Sequence, residues 1–336
     1  MRLVTCPVRQ GNSDRDPDVT CGAGLRQDVG GCKEVRKELN MNTTKTPGLE
    51  RYGGAGGKTG LYDPNWVREF YNQYGEKEWG RLVQSPAHEI ILHIHRYYLE
   101  QYIRPGDRVL EIGAGAGRFT QILAELGARI VVADISPRQL ELNRQYAERF
   151  GFDLAVMDRL ELDVCDMSVF EDGTFDAVIC YGAPLSYVFD RRDVAMGEIL
   201  RVVRPGGVVL LGVMSRWGAM QNSLPEVIAE STPEERANVV RTGDIHPSTY
   251  RNCTHHAHLF SSEELRSFLE SCGAEIVVMS ASNSSVAAWG DRLAGIRANP
   301  DKWRELLQWE VKVCREPGCL DIGQHLLAVV RRPWPR

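Results

Sequence analysis

The chain has 336 residues, a formal net charge of −5 and 43% hydrophobic residues, enough to bury the core of one large domain. The slight acidity argues against a dedicated nucleic-acid binder, the start lacks a signal-peptide core, and no run approaches the roughly 18 apolar residues of a membrane span. Nine cysteines without CxxC pairs fit reduced thiols in a cytoplasmic protein better than a disulfide framework.

Residues 1–60 are rich in Gly, Asp, Asn, Thr and Arg, and read as a disordered extension ending in a glycine linker. Met41 opens a plausible shorter protein. Cys6, Cys21 and Cys32 are irregularly spaced with no companion histidine, so no metal is expected there. The run GGAGGKT at 53–59 imitates a phosphate loop, but Tyr52 stands where the first glycine is required and no apolar strand precedes it. From residue 61 a single domain is expected. Its first part, 61–104, is helical: Asp63-Pro64 and Ser85-Pro86 are helix-start signals, and WVREFYNQY carries its aromatics on one side.

Strands are expected at 108–112, 129–133, 159–163, 175–180 and 207–213, with helices starting near 117, 137 and 191. This alternation predicts an α/β, Rossmann-like, three-layer sandwich around a mostly parallel sheet. Residues 214–258 break the rhythm with short helical pieces and no clear strand. An insertion this long is unusual and is expected to form a cap over the active site. Core rhythm returns with a helix at 261–271, a strand at 274–280, a helix at 300–313 and a last strand at 325–331.

The most informative segment is 107–118, where Val109, Leu110 and Ile112 lead into Gly113, Gly115 and Gly117. This is a strand, a tight turn and a helix start, and glycine there lets a ligand approach where a side chain would stand. A dinucleotide fold wants GxGxxG, but here that third position is Arg118. Glu111 would be a poor neighbour for a pyrophosphate and a good one for the ammonium and sulfonium of S-adenosylmethionine. Asp134 ends the second strand about twenty residues on, where a carboxylate can take both ribose hydroxyls.

Residues 107–213 resemble the core of the class I S-adenosylmethionine-dependent methyltransferases, especially their small-molecule branch. The motifs that carry this are VLEIGAGAGRFT, VVADIS, LELDVCDMSVFEDGTFDAVICYG and LRVVRPGGVVLLGV. The resemblance implies a seven-stranded sheet in the order 3-2-1-4-5-7-6 with the last strand antiparallel, and S-adenosylmethionine as cofactor. It places Glu111, Gly113, Gly115 and Gly117 on the loop that wraps the methionine part. Asp134 falls on the ribose acid, Ile135 against adenine, and Asp163 and Val164 at the adenine edge, with Asp166 as the alternative. Cys180 and Tyr181 would end strand four beside the methionine. Weaker matches extend to YNQYGEKEWGRL, which resembles the family's lid and would put Tyr71 and Arg81 near the cofactor, and to HLFSSEELRSFLESCGAEIV and CREPGCLDIGQHLLAVVRR.

The acceptor is read less directly. Methyl transfer from a sulfonium needs alignment and exclusion of water, and a base only when the acceptor carries a tightly held proton. His255, His256 and His258 lie in the insertion. In an extended segment His256 and His258 share a face while His255 points away, so His256 is the expected base and no metal site is expected. Tyr181, Ser186 and Tyr187 are expected to shape the acceptor site. Tyr62, Tyr71, Tyr74 and Trp217 would wall a pocket, and Arg216 and Arg251 could meet an anion. His88, His93 and His95 read as packing residues, and Cys180 as a packing residue rather than a nucleophile. The expected function is methyl transfer to an oxygen or nitrogen of a small organic metabolite, in secondary or cofactor metabolism. The expected partner is that small molecule, without nucleic acid or membrane, and a homodimer stays open. An NAD-dependent oxidoreductase and a non-catalytic cofactor-binding protein are the rival classes.

Overall fold

A computed structural model describes residues 61–251 and 255–335. The extension at 1–60, with Cys6, Cys21, Cys32 and the glycine linker, lies outside the described residues. Seven strands form the main sheet: β1 (Arg108–Ile112), β2 (Arg129–Asp134), β3 (Val156–Glu161), β4 (Phe175–Cys180), β5 (Val203–Met214), β8 (Glu275–Ala281) and β9 (His325–Arg331). Two-residue strands β6 (Asp244–Ile245) and β7 (Ala257–His258) make a separate ribbon. The sheet order is β3-β2-β1-β4-β5-β9-β8, with β9 antiparallel to both neighbours and the first five strands parallel. This is the expected order, with β8 and β9 in the places of strands six and seven.

The central strands are apolar runs because helices cover both faces. Leu110, Val131 and Val178 pack with Met196 and Ile199 of helix Arg192–Val202 and with Leu265 of helix Ser262–Ser271. Val109, Ile130 and Ile179 pack on the other face with Ile90 and Ile94 of helix Pro86–Tyr102, Leu123 of helix Arg118–Glu125, and Trp303 of helix Pro300–Val313. Side-chain caps start the helices where the sequence indicates. Asp63 accepts from Asn65 and Trp66, Ser85 from His88, and Asn299 from Asp301 and Lys302.

Three expectations are corrected. β3 runs from Val156 to Glu161 rather than 159–163; as an edge strand it is half exposed and offers no apolar run to read. β5 starts at Val203 rather than 207, because the chain stays paired across a register shift at Arg204–Gly207. The 214–258 insertion holds helices Arg216–Asn222, Leu224–Glu230 and Pro233–Thr242 and also the β6/β7 ribbon, whose two-residue strands are too short to show a period. No helix among the described residues is long and apolar enough to cross a membrane.

Candidate active site

A pocket of about 620 Å³, open to solvent at its mouth, lies at the carboxyl ends of β1, β2 and β4 under the N-terminal helices. Its floor is the glycine turn. Gly113 and Gly117 both have left-handed φ, +64° and +98°. A Cβ at Gly113 would stand 2.7 Å from Pro184 Cγ, and one at Gly117 2.8 Å from Asn143 Nδ2. Gly113 therefore keeps the pocket floor flat, whereas Gly117 lets two helices meet behind it.

Two buried carboxylates flank this turn. Asp134 accepts from the backbone N–H of Gly115 at 2.8 Å and of Ser136 at 2.8 Å, and it lines the pocket. Burial pushes its pKa up to about 6, against the pull of those N–H groups. Glu111 lies behind the turn at 2% exposure, accepting from Thr120 Oγ1 at 2.6 Å. Thr120 in turn accepts from Asn143, and Asn143 from Arg159. Burial lifts Glu111 to about 8, only partly offset by Thr120. Its Oε1 is buried without a partner, as is Oε1 of Gln139 beside Gly115. Neither residue lines the pocket, so Glu111, expected at the methionine part of the cofactor, instead stands behind the turn.

The lid, helix Pro64–Tyr74 and the turn Lys77–Gly80 that follows, is bolted over this floor. Gln139 Nε2 donates to the carbonyls of Tyr71 and Gly75, Ser136 Oγ donates to Asn72 Oδ1 at 2.7 Å, and Arg68 Nε donates to the Ile135 carbonyl. Arg81 holds Glu78 through both Nε and Nη2 inside the pocket. The Glu78 Cγ would lie 3.0 Å from a Cβ on Gly115. Sequence reading missed Glu78, although its i,i+3 spacing to Arg81 was a signal for a helical ion pair.

Of the residues expected to bind cofactor, Tyr71, Arg81, Gly113, Gly115, Asp134, Ile135 and Val164 line the pocket. Asp163 stands one residue behind Val164 and caps the turn through the Cys165 N–H at 2.8 Å. Cys180 is fully buried in the core, its thiol pushed up to about 12. Tyr181 is corrected as a catalytic residue: it is 3% exposed and packs edge-on against His95 and Phe119, on the side of the sheet away from the pocket. Strand alternation at β4 sends it there, and Gly182, Pro184, Tyr187 and Val188 supply that wall instead.

His256 is corrected too. The β6/β7 register pairs Asp244 with His258, so the alternation argument holds: His246, His256 and His258 share a face, with His256 stacked 3.8 Å from Trp66. None of these three histidines lines the pocket. His255 takes the opposite face, and its Nε2 sits 2.6 Å from the Tyr187 hydroxyl. Through His255 the insertion meets the pocket wall; among the described residues, none of 214–258 lines the pocket itself. Trp217 is 42% exposed, Arg216 is held by Glu264 and the Leu259 carbonyl, and Arg251 pairs with Glu235, so none of the three meets a pocket ligand. His88 and His95 are tied locally to Ser85 and to the Ile91 carbonyl. No cluster able to hold a metal is found among the described residues.

A parallel sheet with this order, a glycine turn after β1 and an acid closing β2 are the arrangement of the class I S-adenosylmethionine-dependent methyltransferase fold. Residues 110–211, about a third of the chain, match the family described as Methyltransferase domain, and S-adenosylmethionine is the methyl donor of that fold and family. The chain is 23% identical over 233 residues to the tRNA 5-carboxymethoxyuridine methyltransferase of Escherichia coli K12, covering 67% of this chain and 80% of that protein. It is 38% identical over 110 residues to the demethylmenaquinone methyltransferase of Clavibacter sepedonicus, covering 32% of this chain and 40% of the relative. With the ubiquinone/menaquinone biosynthesis C-methyltransferase of Teredinibacter turnerae it shares 37% identity over 37% of this chain and 48% of that one. The chain thus spans less than half the length of these last two relatives. A Haloferax volcanii methyltransferase solved with the Trm112 methyltransferase activator shares the fold at TM-score 0.52 and 19% identity, over 80% of this chain and 99% of that chain.

Proposed function

We propose that this protein is an enzyme transferring a methyl group from S-adenosylmethionine to an oxygen or nitrogen of a small organic metabolite. The observation that carries this reading is that one lidded pocket joins the glycine turn and Asp134 to the phenol groups of Tyr71 and Tyr187. The bound cofactor supplies an electrophilic methyl group on a sulfonium. The chain's own tasks are to hold the ribose at Asp134, to pack the adenine between Ile135 and Val164, and to exclude water beneath the Tyr71 side of the lid. The quinone relatives act on small molecules by name, which supports a metabolite acceptor and a place in secondary or cofactor metabolism. A tRNA acceptor, named for another relative, is disfavoured by the chain's net charge of −5.

The test is a methyl-transfer assay with isotope-labelled cofactor against a metabolite panel and bulk tRNA, read by mass spectrometry. Labelled small-molecule product is expected. Label found only in tRNA would overturn the acceptor class, and failure to bind S-adenosylmethionine or its demethylated product would overturn the whole reading.

A further inference from the structure

Three side chains from distant parts of the sequence form a hydrogen-bonded line leading out of the pocket. Tyr71 of the lid donates its hydroxyl to Tyr187 Oη at 2.7 Å, and Tyr187 Oη lies 2.6 Å from His255 Nε2. Tyr71 and Tyr187 line the pocket, whereas His255 does not. Tyr71 spends its proton on Tyr187, and a relay runs outward when Tyr187 spends its own on His255, with Nε2 as the bare, accepting nitrogen. The rings are fixed as well: Tyr71 and Tyr187 meet edge to face at 5.7 Å, and Phe70 lies edge-on to His255 at 5.1 Å. Burial keeps both phenols protonated and the imidazole neutral, the states this line requires.

We propose that Tyr71, Tyr187 and His255 form a proton relay that makes a hydroxyl the methyl acceptor of this pocket. This rests on the methyl-transfer reading above and narrows its acceptor from oxygen or nitrogen to oxygen. An amine attacks as its free base and loses its proton afterwards at little cost, so it needs no such line. A hydroxyl must shed its proton as it attacks. In the step, the acceptor oxygen forms a bond to the methyl carbon while the carbon–sulfur bond breaks and its electron pair goes to sulfur. The acceptor's proton passes to Tyr71 Oη, that of Tyr71 to Tyr187 Oη, and that of Tyr187 to His255 Nε2. The positive charge leaves the sulfonium and is not held on the imidazole, which burial keeps neutral: His255 releases a proton to water from Nδ1 as it takes one at Nε2. Tyr71 is the member placed to touch the acceptor; Tyr187 and His255 act through it.

The first test needs no substrate. In the full chain labelled with 15N-histidine and bound to S-adenosylhomocysteine, His255 Nε2 should resonate as an unprotonated, hydrogen-bonded nitrogen. Tyr187→Phe, which keeps the ring, should move that signal to the position of an unbonded nitrogen, and Tyr71→Phe should shift it by less. A protonated Nε2 in the unaltered protein means that the line runs backwards and overturns the relay. The second test assays labelled methyl transfer to a set of simple phenols and a set of primary amines. Phenol methylation should fall about 100- to 10,000-fold in Tyr187→Phe and His255→Gln, with S-adenosylhomocysteine affinity within about twofold of the parent protein in His255→Gln, whose side chain does not line the pocket. Methylation of amines alone would overturn the relay and leave the methyl-transfer reading standing. Methylation of neither set by a protein that binds the cofactor product would overturn both.

Discussion

Arg81 grips Glu78 inside the pocket, donating from Nε to both carboxylate oxygens at 3.1 and 3.0 Å and from Nη2 to one of them at 2.8 Å. The pair closes the turn Lys77–Gly80 over Gly115. Its side chains are only 26% and 17% exposed, so neither charge is well hydrated without the other.

Arg81→Ala is therefore expected to destabilise the protein by about 3 kcal/mol, because it strands a largely buried carboxylate. Glu78→Ala combined with Arg81→Ala should recover much of that loss. Urea unfolding of the two single variants and the double variant measures the coupling, and simple additivity would show that the pair contributes nothing beyond its separate parts.

Asp134 predicts the pH dependence of cofactor binding. Its pKa of about 6 belongs to a buried carboxyl that faces no cation, and ribose hydroxyls would donate to its ionised form. Affinity for S-adenosylhomocysteine should hold steady above pH 7 and fall as pH drops through about 6. Asp134→Ala should weaken binding by about 1.5–3 kcal/mol and remove the pH dependence. Calorimetry between pH 5 and pH 8, a range spanning that value, decides it.

Glu111 makes the opposite contribution to ligand-free stability. Burial raises its pKa from 4.5 to about 8, so the folded state binds this proton more tightly than the unfolded chain. The stabilisation is present at low pH and is lost as pH rises from about 4.5 through about 8. Glu111→Gln has no such slope. Its melting temperature should match the parent at pH 4 and exceed it increasingly up to about 8, where the gap levels off. Parallel melting curves across this range would place the ionisation elsewhere.

His258 clamps the insertion to the main domain. Its Nδ1 meets Asp244 at 2.7 Å and its Nε2 meets Glu264 at 2.8 Å, while Arg216 and Arg192 also reach Glu264. Burial lowers its pKa and Arg192 opposes protonation, but the two carboxylates prevail and the net shift is upward. The contribution to stability is fully present below 6.5 and is lost as pH rises through the raised folded value. His258→Gln should therefore cost most near pH 6 and least in alkali, measured as unfolding midpoints at both ends.

Some of this was legible in the residues alone. The GxGxG turn, the acid at the end of β2 and the apolar runs of buried parallel strands are local patterns, because strand period, turn stereochemistry and helix caps act over a few residues. They placed β1, β9 and helix Pro300–Val313 to the residue. The family resemblance of these motifs put Gly113, Gly115, Asp134 and Ile135 at one site, and all four line the pocket. The edge strand β3 was misplaced where exposure blurs the pattern, and Tyr181 where one step of alternation decides between pocket and core.

The histidines mark the boundary most clearly. Alternation told correctly that His255 opposes His256 and His258, yet nothing within the segment says which face meets the site. That was decided by Trp66 and Tyr187, 190 and 68 positions away, which took His256 and His255 respectively. Sequence by itself determined the α/β class and the glycine-turn site, which rest on short-range stereochemistry, while the sheet order and the methyl donor came with the family resemblance of those motifs. Only the tertiary structure decided which side chains gather around the acceptor, because that depends on contacts between segments whose separation along the chain leaves no periodic trace.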